Sequence, residues 1–392
     1  MSHKALIAGV GMVKFTKPSQ SEMYDVMASR AAQAALGDAG INYRQVQQAY
    51  AGYVSGDTCS GQTALYSVGM TGIPVINVNN ACASGTTAIY LAREAILGGR
   101  ADVVLAVGFE QMGAGALSVG SDRTPITWRL DAAVDGIRGW DDNAPQAPQY
   151  FGGAGAEYLE KYGESAELFA KVSVKARQHA ARNPYAVFTQ PITLEEVMAA
   201  TPIFGPLTKL MCCPPTCGAA AVLLVSEDYA RKHGIGNTVE IAGMALATDT
   251  DNSFSSGSML NVVGAGVTRI AAATAYEQAG VGPEDIDLVE LHDCFSPNEV
   301  ISYESLGLCP EGGAARFIAD GDNTYGGRVV TNPSGGLLSK GHPLGATGPA
   351  QFAELTWHLR GTAGDRQVPD ARIALQHNIG LGGAGVVSIL KR

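Results

Sequence analysis

The chain has 392 residues, of which 46% are hydrophobic and 16% are charged, a composition typical of a folded protein with more than one core-forming unit. Its formal net charge is −10 and no cluster of lysine and arginine stands out, so a nucleic-acid-binding surface is not expected. The seven cysteines are scattered and odd in number, which indicates free thiols in a reducing compartment rather than a disulfide framework.

Neither end of the sequence carries a recognised targeting signal. Residues 1–15 lack the pattern of a secretory signal, and no apolar run is long enough to span a membrane. Residues 390–392 differ from the Ser-Lys-Leu address of peroxisomal proteins. We therefore expect a soluble cytoplasmic protein without a membrane span, and leave a peroxisomal location open.

The first part of the chain alternates predicted strands and helices. The expected elements are a helix at 21–40, closed by Gly40, and strands at 5–10, 48–54 and 75–78. A further helix follows Cys82 in the run TTAIYLAREAI. Cys82 is thus predicted at a helix start, where free N–H groups and the helix dipole favour a thiolate nucleophile. Among small residues an isolated cysteine is, however, more often a buried hydrophobe.

The second half of the chain repeats the first. Residues 267–293 again give a long helix, an Ala-Gly stop and an apolar strand, and the helix after His342 matches the helix after Cys82. Such a duplication predicts two similar sheets related by a pseudo-two-fold axis, with the matched helices buried between them. Cys82 and His342 would then be neighbours, as a nucleophile and a base. The matched strands are 101–109 with 371–379 and 218–226 with 383–391.

Residues 113–215 differ in character from the repeat and are interpreted as an inserted loop domain. They contain a predicted amphipathic helix at 155–184. The aromatic residues expected to form a small core of the insertion's own are Trp128, Trp140, Tyr150, Phe151 and Tyr158. The predicted division of the chain is a first half at 1–112 and 216–250, the insertion at 113–215, and a second half at 251–392. No metal is expected, because the cysteine cluster lacks zinc-like spacing: Cys212, Cys213 and Cys217.

Three further motifs supply candidate functional residues. The run LHDCFSPNE places His292 and Cys294 at a predicted strand end, where residues two apart share a face. The glycine-rich segment 332–351 carries His342, and 377–385 is a glycine loop whose N–H groups could hold an oxyanion. Each motif alone also fits a purely structural role, as packed side chains or as turns.

Together these motifs resemble the thiolases, and among them the sterol carrier protein type. NNACASG at 79–85 is similar to the nucleophile motif, HDCF at 292–295 stands in the place of NEAF, and NPSGGLLSKGHPLGATG at 332–348 is similar to the GHP block. QHNIGLGGAG at 376–385 stands where ordinary thiolases carry Cys-x-Gly. In this chain Asn378 matches the position of their second catalytic cysteine.

The resemblance implies a duplicated α/β thiolase fold, in which two mixed five-stranded sheets form a layered αβαβα arrangement with the inserted loop domain. It implies thiolytic cleavage of 3-oxoacyl-CoA by CoA, to acyl-CoA and acetyl-CoA, or propionyl-CoA from 2-methyl-branched substrates. The setting would be fatty acid or sterol side-chain degradation. CoA is then a co-substrate, and no permanently bound cofactor is expected.

The resemblance also implies a role for each candidate residue. Cys82 would attack the 3-oxo carbonyl with the help of His342 and form an acyl-enzyme. His292 and His342 would donate to the thioester oxygen, and Cys294 would protonate the carbon in place of the missing cysteine. The N–H groups of Cys82 and Gly380 would hold the tetrahedral oxyanion.

Other functions remain open at this point. A retro-aldolase acting on sterol side-chain CoA esters shares the fold but needs no nucleophilic cysteine. A non-catalytic acyl-CoA or lipid-binding protein would tolerate loss of the cysteines and histidines, and a β-ketoacyl synthase fits HDCF poorly. The expected partners are acyl-CoA, CoA and further copies of the chain in a homodimer or homotetramer, because the apolar run 103–109 is unfavourable at a bare sheet edge.

Overall fold

The computed structural model describes residues 4–113 and 127–392, so the predicted beginning of the inserted domain, at 114–126, lies outside the described residues. The protein is an α/β structure in which helices cover a large mixed sheet, as the sequence predicts. Within the described ranges, no helix is long and apolar enough to cross a membrane.

The first part of the chain alternates strands and helices in the predicted order. Its elements are β1 (Ala5–Met12), α1 (Tyr24–Ala39), β2 (Gln48–Gly52), α2 (Ser60–Tyr66), β3 (Val75–Val78), α3 (Ser84–Leu97) and β4 (Val103–Glu110). The first helix ends where predicted, because Gly40 adopts a left-handed φ of 66°.

The inserted segment is mainly helical. Its elements are α4 (Trp128–Arg138), α5 (Gln146–Tyr162), α6 (Glu167–Ala180), α7 (Leu194–Met198) and the short strands β5 (Pro202–Phe204) and β6 (Leu207–Thr208). The single helix predicted over 155–184 is wrong. Gly163 adopts a left-handed φ of 70° and ends α5, so that the chain turns before α6 begins.

The aromatic residues of the insertion do not form a separate core. Tyr150, Phe151 and Tyr158 are buried in one cluster with side chains of the second half of the chain. Phe151 stacks on Phe295 with 4.8 Å between the ring centroids, whereas Trp128 is 48% exposed. The expectation of an independent core is therefore wrong, since the insertion buries its apolar side chains against the second half.

The rest of the chain completes the first sheet and builds the second copy. Its elements are β7 (Gly218–Ser226), α8 (Glu227–His233), β8 (Val239–Ala247), α9 (Asp251–Ser255), α10 (Met259–Val262), α11 (Ala265–Ala279), β9 (Leu288–Glu290), α12 (Ser296–Ser305), α13 (Ala314–Ala319), β10 (Val330–Thr331), α14 (Gly336–Ser339), α15 (Leu344–Arg360), β11 (Ile373–Gly380) and β12 (Ala384–Lys391). The β1, α1, β2, β3, α3, β4, β7 series thus recurs as β8, α11, β9, β10, α15, β11, β12.

The strand orders of the two copies match, as β3-β2-β4-β7-β1 and β10-β9-β11-β12-β8. This confirms the duplication of mixed five-stranded units. The two units are joined rather than separate, because β1 and β8 pair antiparallel where Leu6 faces Glu240 and Ile7 faces Val239. One continuous ten-stranded sheet results, where the sequence predicts two sheets.

Strand β4 lies inside the sheet, paired with β2 on one side and with β7 on the other. The argument that the apolar run 103–109 needs a partner chain is therefore wrong. The edge of this half is β3, which pairs only with β2 among the described strands. Its residue Ile76 is 38% exposed.

The matched helices α3 and α15 pack against each other without space for side chains at the contact. A Cβ atom on Gly85 would lie 2.1 Å from the Gly345 carbonyl oxygen, and one on Gly348 would lie 2.0 Å from Thr86 Oγ1. Apolar residues of both helices and of both sheet halves form one buried cluster around this contact. The segments that precede the two helices are therefore held close together.

Candidate active site

Cys82 lies in a tight turn between β3 and α3. Ala81, directly before it, adopts a left-handed φ of 48°, which is strained for a residue with a side chain. The Ser84 hydroxyl holds this turn, because it accepts from the Asn80 N–H at 2.9 Å and donates to the Ala81 carbonyl at 2.6 Å. Cys82 thus precedes the helix, which begins at Ser84.

Three side chains with reactive atoms meet at this turn. The Cys82 sulfur and one ring nitrogen each of His292 and His342 all lie within 4.8 Å of one another. The two imidazole rings stand edge to face, with their centroids 5.0 Å apart. The structure therefore brings Cys82 and His342 together, as the internal repeat predicts, and adds His292 to the pair.

The hydrogen bonds of His342 leave one ring nitrogen with a free lone pair. Its Nδ1 lies 2.7 Å from Thr347 Oγ1, and this hydroxyl donates to the Pro343 carbonyl at 3.0 Å. Since the hydroxyl hydrogen is used there, the oxygen accepts from Nδ1–H. Nε2 is then unprotonated, and it is buried without a hydrogen-bond partner among the described residues. His342 is thus set up to accept a proton from Cys82.

His292 lies in the turn between β9 and α12, where two asparagines hold it. Asn378 Nδ2 on β11 lies 2.7 Å from His292 Nδ1, and Asn298 Nδ2 donates to the His292 carbonyl oxygen. The sequence motif treats Asn378 only as the position of a missing cysteine. One signal in the sequence could have suggested this contact with His292. An amide at this position cannot exchange protons, but it can still donate and accept hydrogen bonds.

Both imidazoles are neutral at physiological pH. Burial lowers the pKa of His342 to about 3. Burial also lowers the pKa of His292 well below its ordinary value, and the neighbouring rings of His342 and His377 add to this shift. A neutral imidazole can act as a base through its lone pair and as a donor through its N–H.

The Cys82 thiol is protonated in the resting protein. Burial raises the pKa of Cys82 to about 12, and the charge of Glu110 adds to the rise. The prediction of a resting thiolate is therefore wrong, because the cost of desolvating the charge exceeds the opposing effect of the hydrogen bond from the backbone. Cys82 needs a base at the moment it attacks, and His342 is the base within reach.

Glu110, at the end of β4, is a structural anchor of the site that the motifs do not reveal. Its fully buried carboxylate accepts from the N–H groups of Val54, Ser55 and Gly345, at 3.0, 2.7 and 3.0 Å. It thereby connects the loop after β2 to the first turn of α15. A carboxylate at the end of the apolar strand VVLAVGFE is the signal that could have found it, since a buried charge requires partners.

Cys294 lies in the same turn as His292 and not on a strand. Strand β9 ends at Glu290, so strand alternation cannot place the two side chains on one face, and that argument is wrong. Cys294 is 5% exposed, and its carbonyl oxygen accepts from the Cys213 N–H at 2.9 Å. Burial, followed by the nearby thiols of Cys213 and Cys82, raises the pKa of Cys294 well above its ordinary value. It is a second protonated thiol near the first.

Gly380, at the end of β11, lies against the Cys82 turn. A Cβ atom at this position would be 2.1 Å from the Asn80 carbonyl oxygen, so only glycine allows the strand to come this close. A cavity of about 750 Å³ opens beside the same glycine loop and is lined in part by Arg129, Phe254 and Gly382. The chain thus provides an opening beside the loop that follows Gly380.

Comparison with known proteins agrees with this architecture. Residues 6–228 match the family model of the thiolase N-terminal domain, and residues 248–392 match the thiolase C-terminal domain-like model. Sterol carrier protein 2 of Bos taurus is 51% identical over 398 residues, which cover 100% of this chain and 73% of that protein. The benzoylsuccinyl-CoA thiolase subunit BbsB of Thauera aromatica is 37% identical over 385 residues, which cover 97% of this chain and 96% of that protein.

Among solved structures, an aldolase described as Ltp2-ChsH2(DUF35) superposes with a TM-score of 0.84 at 28% sequence identity, covering 99% of this chain and 97% of that one. The family models together cover most of the sequence, and both halves of the duplicated fold are included. The chain therefore belongs to the thiolase family of acyltransferases, and within that family it is similar to sterol carrier protein 2.

Proposed function

We propose that this chain cleaves 3-oxoacyl-CoA with CoA through an acyl-enzyme on Cys82. The observation that carries the proposal is the position of the Cys82 sulfur within 4.8 Å of a nitrogen of His342, whose Nε2 has an unused lone pair. A nucleophile and a base within reach of each other are the requirement for covalent catalysis. The second thiol, Cys294, supplies the acid that the reaction needs at carbon.

The first half of the proposed reaction breaks the carbon–carbon bond. As the Cys82 sulfur attacks the 3-oxo carbonyl, its proton moves to His342 Nε2, and the N–H groups of Cys82 and Gly380 hold the oxyanion. Collapse leaves the acyl group on sulfur and the electron pair in the enolate of acetyl-CoA. His292 and the protonated His342 donate to the enolate oxygen, and Cys294 gives its proton to the carbon.

The second half returns the enzyme to its starting state. CoA enters, its thiol gives a proton to the Cys294 thiolate, and its sulfur attacks the thioester on Cys82. The Cys82 sulfur leaves and recovers its proton from His342, so that acyl-CoA is released and every proton is accounted for. Each oxyanion donor typically contributes about 3 kcal/mol to such a step.

The test is a CoA-dependent loss of the enolate absorbance of 3-oxoacyl-CoA. A panel of straight-chain, 2-methyl-branched and steroid-side-chain substrates would show which acyl group is preferred and whether propionyl-CoA is formed. No cleavage of any 3-oxoacyl-CoA in the presence of CoA would contradict the proposal.

A retro-aldolase is the second candidate, favoured by the similarity to the Ltp2-ChsH2(DUF35) aldolase. Retro-aldol cleavage of a 3-hydroxyacyl-CoA requires neither a nucleophilic cysteine nor free CoA. Cleavage without CoA that survives Cys82→Ala would support this candidate. Cleavage that requires both free CoA and the Cys82 thiol would support the thiolase reaction.

We further propose that CoA occupies the cavity beside the glycine loop. Arg129 lines this cavity and stands over the Trp128 ring at 4.6 Å, where its charge is available to a phosphate group.

Arg129→Ala is expected to raise the KM for CoA about tenfold with little change in kcat, as the loss of one charge-assisted contact predicts. Arg138, which already pairs with Glu160 at 2.8 Å, is the control, and Arg138→Ala should leave this KM unchanged. Equal effects of the two variants would contradict the placement.

We propose that the homodimer implied by the family resemblance forms through the edge strand β3. Ile76 on this strand is 38% exposed, and Tyr66 and Met70, which precede it, are 52% and 78% exposed. Ile76→Glu is expected to raise the dimer dissociation constant about a hundredfold, because a charge would be buried at the interface. Ile270→Glu, at a 46% exposed isoleucine on α11, is the matched control. Sedimentation of the wild type as an active monomer would contradict the dimer.

A further inference from the structure

We propose that a buried relay of four side chains, Gln351, Gln376, Thr86 and Asn378, keeps the hydrogen of the neutral His292 ring on Nε2. All four side chains belong to fully buried residues. The catalytic meaning of the relay rests on the proposed thiolase reaction, whereas the direction of its hydrogen bonds follows from the fold alone. The relay assigns a task to Asn378, at the position that resembles a catalytic cysteine in other thiolases.

The direction of the relay begins at Gln351. Its Nε2 lies 3.3 Å from the Leu291 carbonyl oxygen and 3.2 Å from the His377 carbonyl oxygen. A backbone carbonyl can only accept, so both amide hydrogens of Gln351 are committed to these two oxygens. Gln351 Oε1 is left as an acceptor, and Gln376 Nε2 donates to it at 2.7 Å.

The hydrogen bonds of Gln376, Thr86 and Asn378 run in the same donor-to-acceptor sense. Because Gln376 Nε2 faces Gln351, Gln376 Oε1 is left to accept from the Ser388 hydroxyl at 3.0 Å. Gln376 Nε2 also lies 3.4 Å from Thr86 Oγ1. The Thr86 hydroxyl then donates to Asn378 Oδ1 at 2.9 Å. This contact turns Asn378 Nδ2 toward His292.

The relay ends at His292 Nδ1, which lies 2.7 Å from Asn378 Nδ2. Facing an N–H donor, Nδ1 must supply its lone pair, so the single hydrogen of the neutral ring is on Nε2. Nε2–H is then ready to donate to the enolate oxygen before any charge develops, which is the condition for effective electrostatic catalysis. The other tautomer would direct a lone pair at that oxygen. Asn378 is therefore a positioning residue that acts through His292.

Asn378→Asp tests the relay with an isosteric change. A carboxylate can only accept, so it favours the His292 tautomer with its hydrogen on Nδ1. When the pair formed by this carboxylate and His292 carries only one proton, Nε2 is then unprotonated. At low pH a second proton on the pair keeps Nε2–H in place. The rate of α-proton exchange in acetyl-CoA, relative to wild type, is thus expected to fall as pH rises, and to reach a deficit of about a hundredfold or more. Acyl transfer between acyl-CoA and Cys82, which does not use His292 as donor, should change much less.

The ring nitrogens are read directly by 15N NMR of histidine-labelled protein, with His292→Gln to assign the signal. Wild type should show hydrogen on Nε2 throughout, and Asn378→Asp should lose it with rising pH. Thr86→Ser keeps the hydroxyl and should behave as wild type, whereas Thr86→Val should increase the fraction with hydrogen on Nδ1. Ser388→Ala is the control, because it removes a buried hydrogen bond of Gln376 without reversing the relay.

Two results would overturn the proposal. One is a wild-type spectrum with the hydrogen on His292 Nδ1. The other is an Asn378→Asp protein that retains Nε2–H at every pH and shows a pH-independent ratio to the wild-type exchange rate. If wild type cleaves no 3-oxoacyl-CoA, the proposed reaction is wrong, yet the spectrum still decides whether the relay exists.

Discussion

Cys82→Ala is expected to lower thiolytic turnover by about five orders of magnitude, because the covalent intermediate can no longer form. Wild-type protein mixed with 3-oxoacyl-CoA in the absence of free CoA should gain one acyl mass on the peptide that contains Cys82. Cys212, a half-buried thiol like Cys82, provides the matched control, and Cys212→Ala should retain both the acyl mass and most of the turnover. An acyl label on Cys294, with Cys82→Ala still acylated, would contradict the assignment.

The protonation state of Cys82 can be measured in the same protein. Since burial raises the pKa of Cys82 to about 12, alkylation by iodoacetamide should accelerate steadily with pH between about pH 7 and about pH 10. A thiolate stabilised by the helix dipole would react at a constant rate over this range. A plateau would contradict the protonated resting thiol.

Cys294→Ala is expected to lower turnover by about three to four orders of magnitude, as loss of a positioned acid or base does. Cys294 is a buried, protonated thiol near Cys82, and Asn378, which occupies the alternative position, cannot exchange a proton near neutral pH. Exchange of deuterium into acetyl-CoA should be lost, while transfer of an acyl group to Cys82 should persist. The two half-reactions thus separate the acid at carbon from the nucleophile.

The control for Cys294 is Cys309, a second buried cysteine of the same hydrophobic cluster. If Cys294 only fills space, Cys294→Ala and Cys309→Ala should have similar small effects on stability and activity. If Cys294→Ala folds normally and exchanges deuterium at the wild-type rate, the proton is carried by another group, and His292 is the next residue to replace.

Much of the fold could be predicted because the repeat is visible in the residues. A constant offset between helices and strands is enough to pair α3 with α15 and so Cys82 with His342. The seam between β1 and β8 could not be predicted, because it involves only two residue pairs and neither strand carries a periodic signal for it. The break between α5 and α6 depends on one glycine, Gly163, whose left-handed φ ends a helix that the apolar pattern would continue.

The chemistry of the site was less accessible to sequence reasoning, because it depends on burial. A helix start predicts a low thiol pKa for Cys82, yet desolvation reverses the sign of the shift. Asn378 has no proton to exchange, which hides the fact that its amide can direct a neighbouring ring. Glu110 shows the same limit, since its contacts reach three segments that are distant in the sequence.

The contact between α3 and α15 also bears on how such a site can originate. Cys82 and His342 occupy equivalent places in the two copies, just before the matched helices α3 and α15. An ancestral pair of identical half-length chains would have presented the same residue twice at this point, two thiols or two imidazoles, but never one of each. Only two copies with separately encoded sequences can present a thiol at one position and an imidazole at the other. The single active centre of a duplicated fold is, in this sense, a product of broken symmetry.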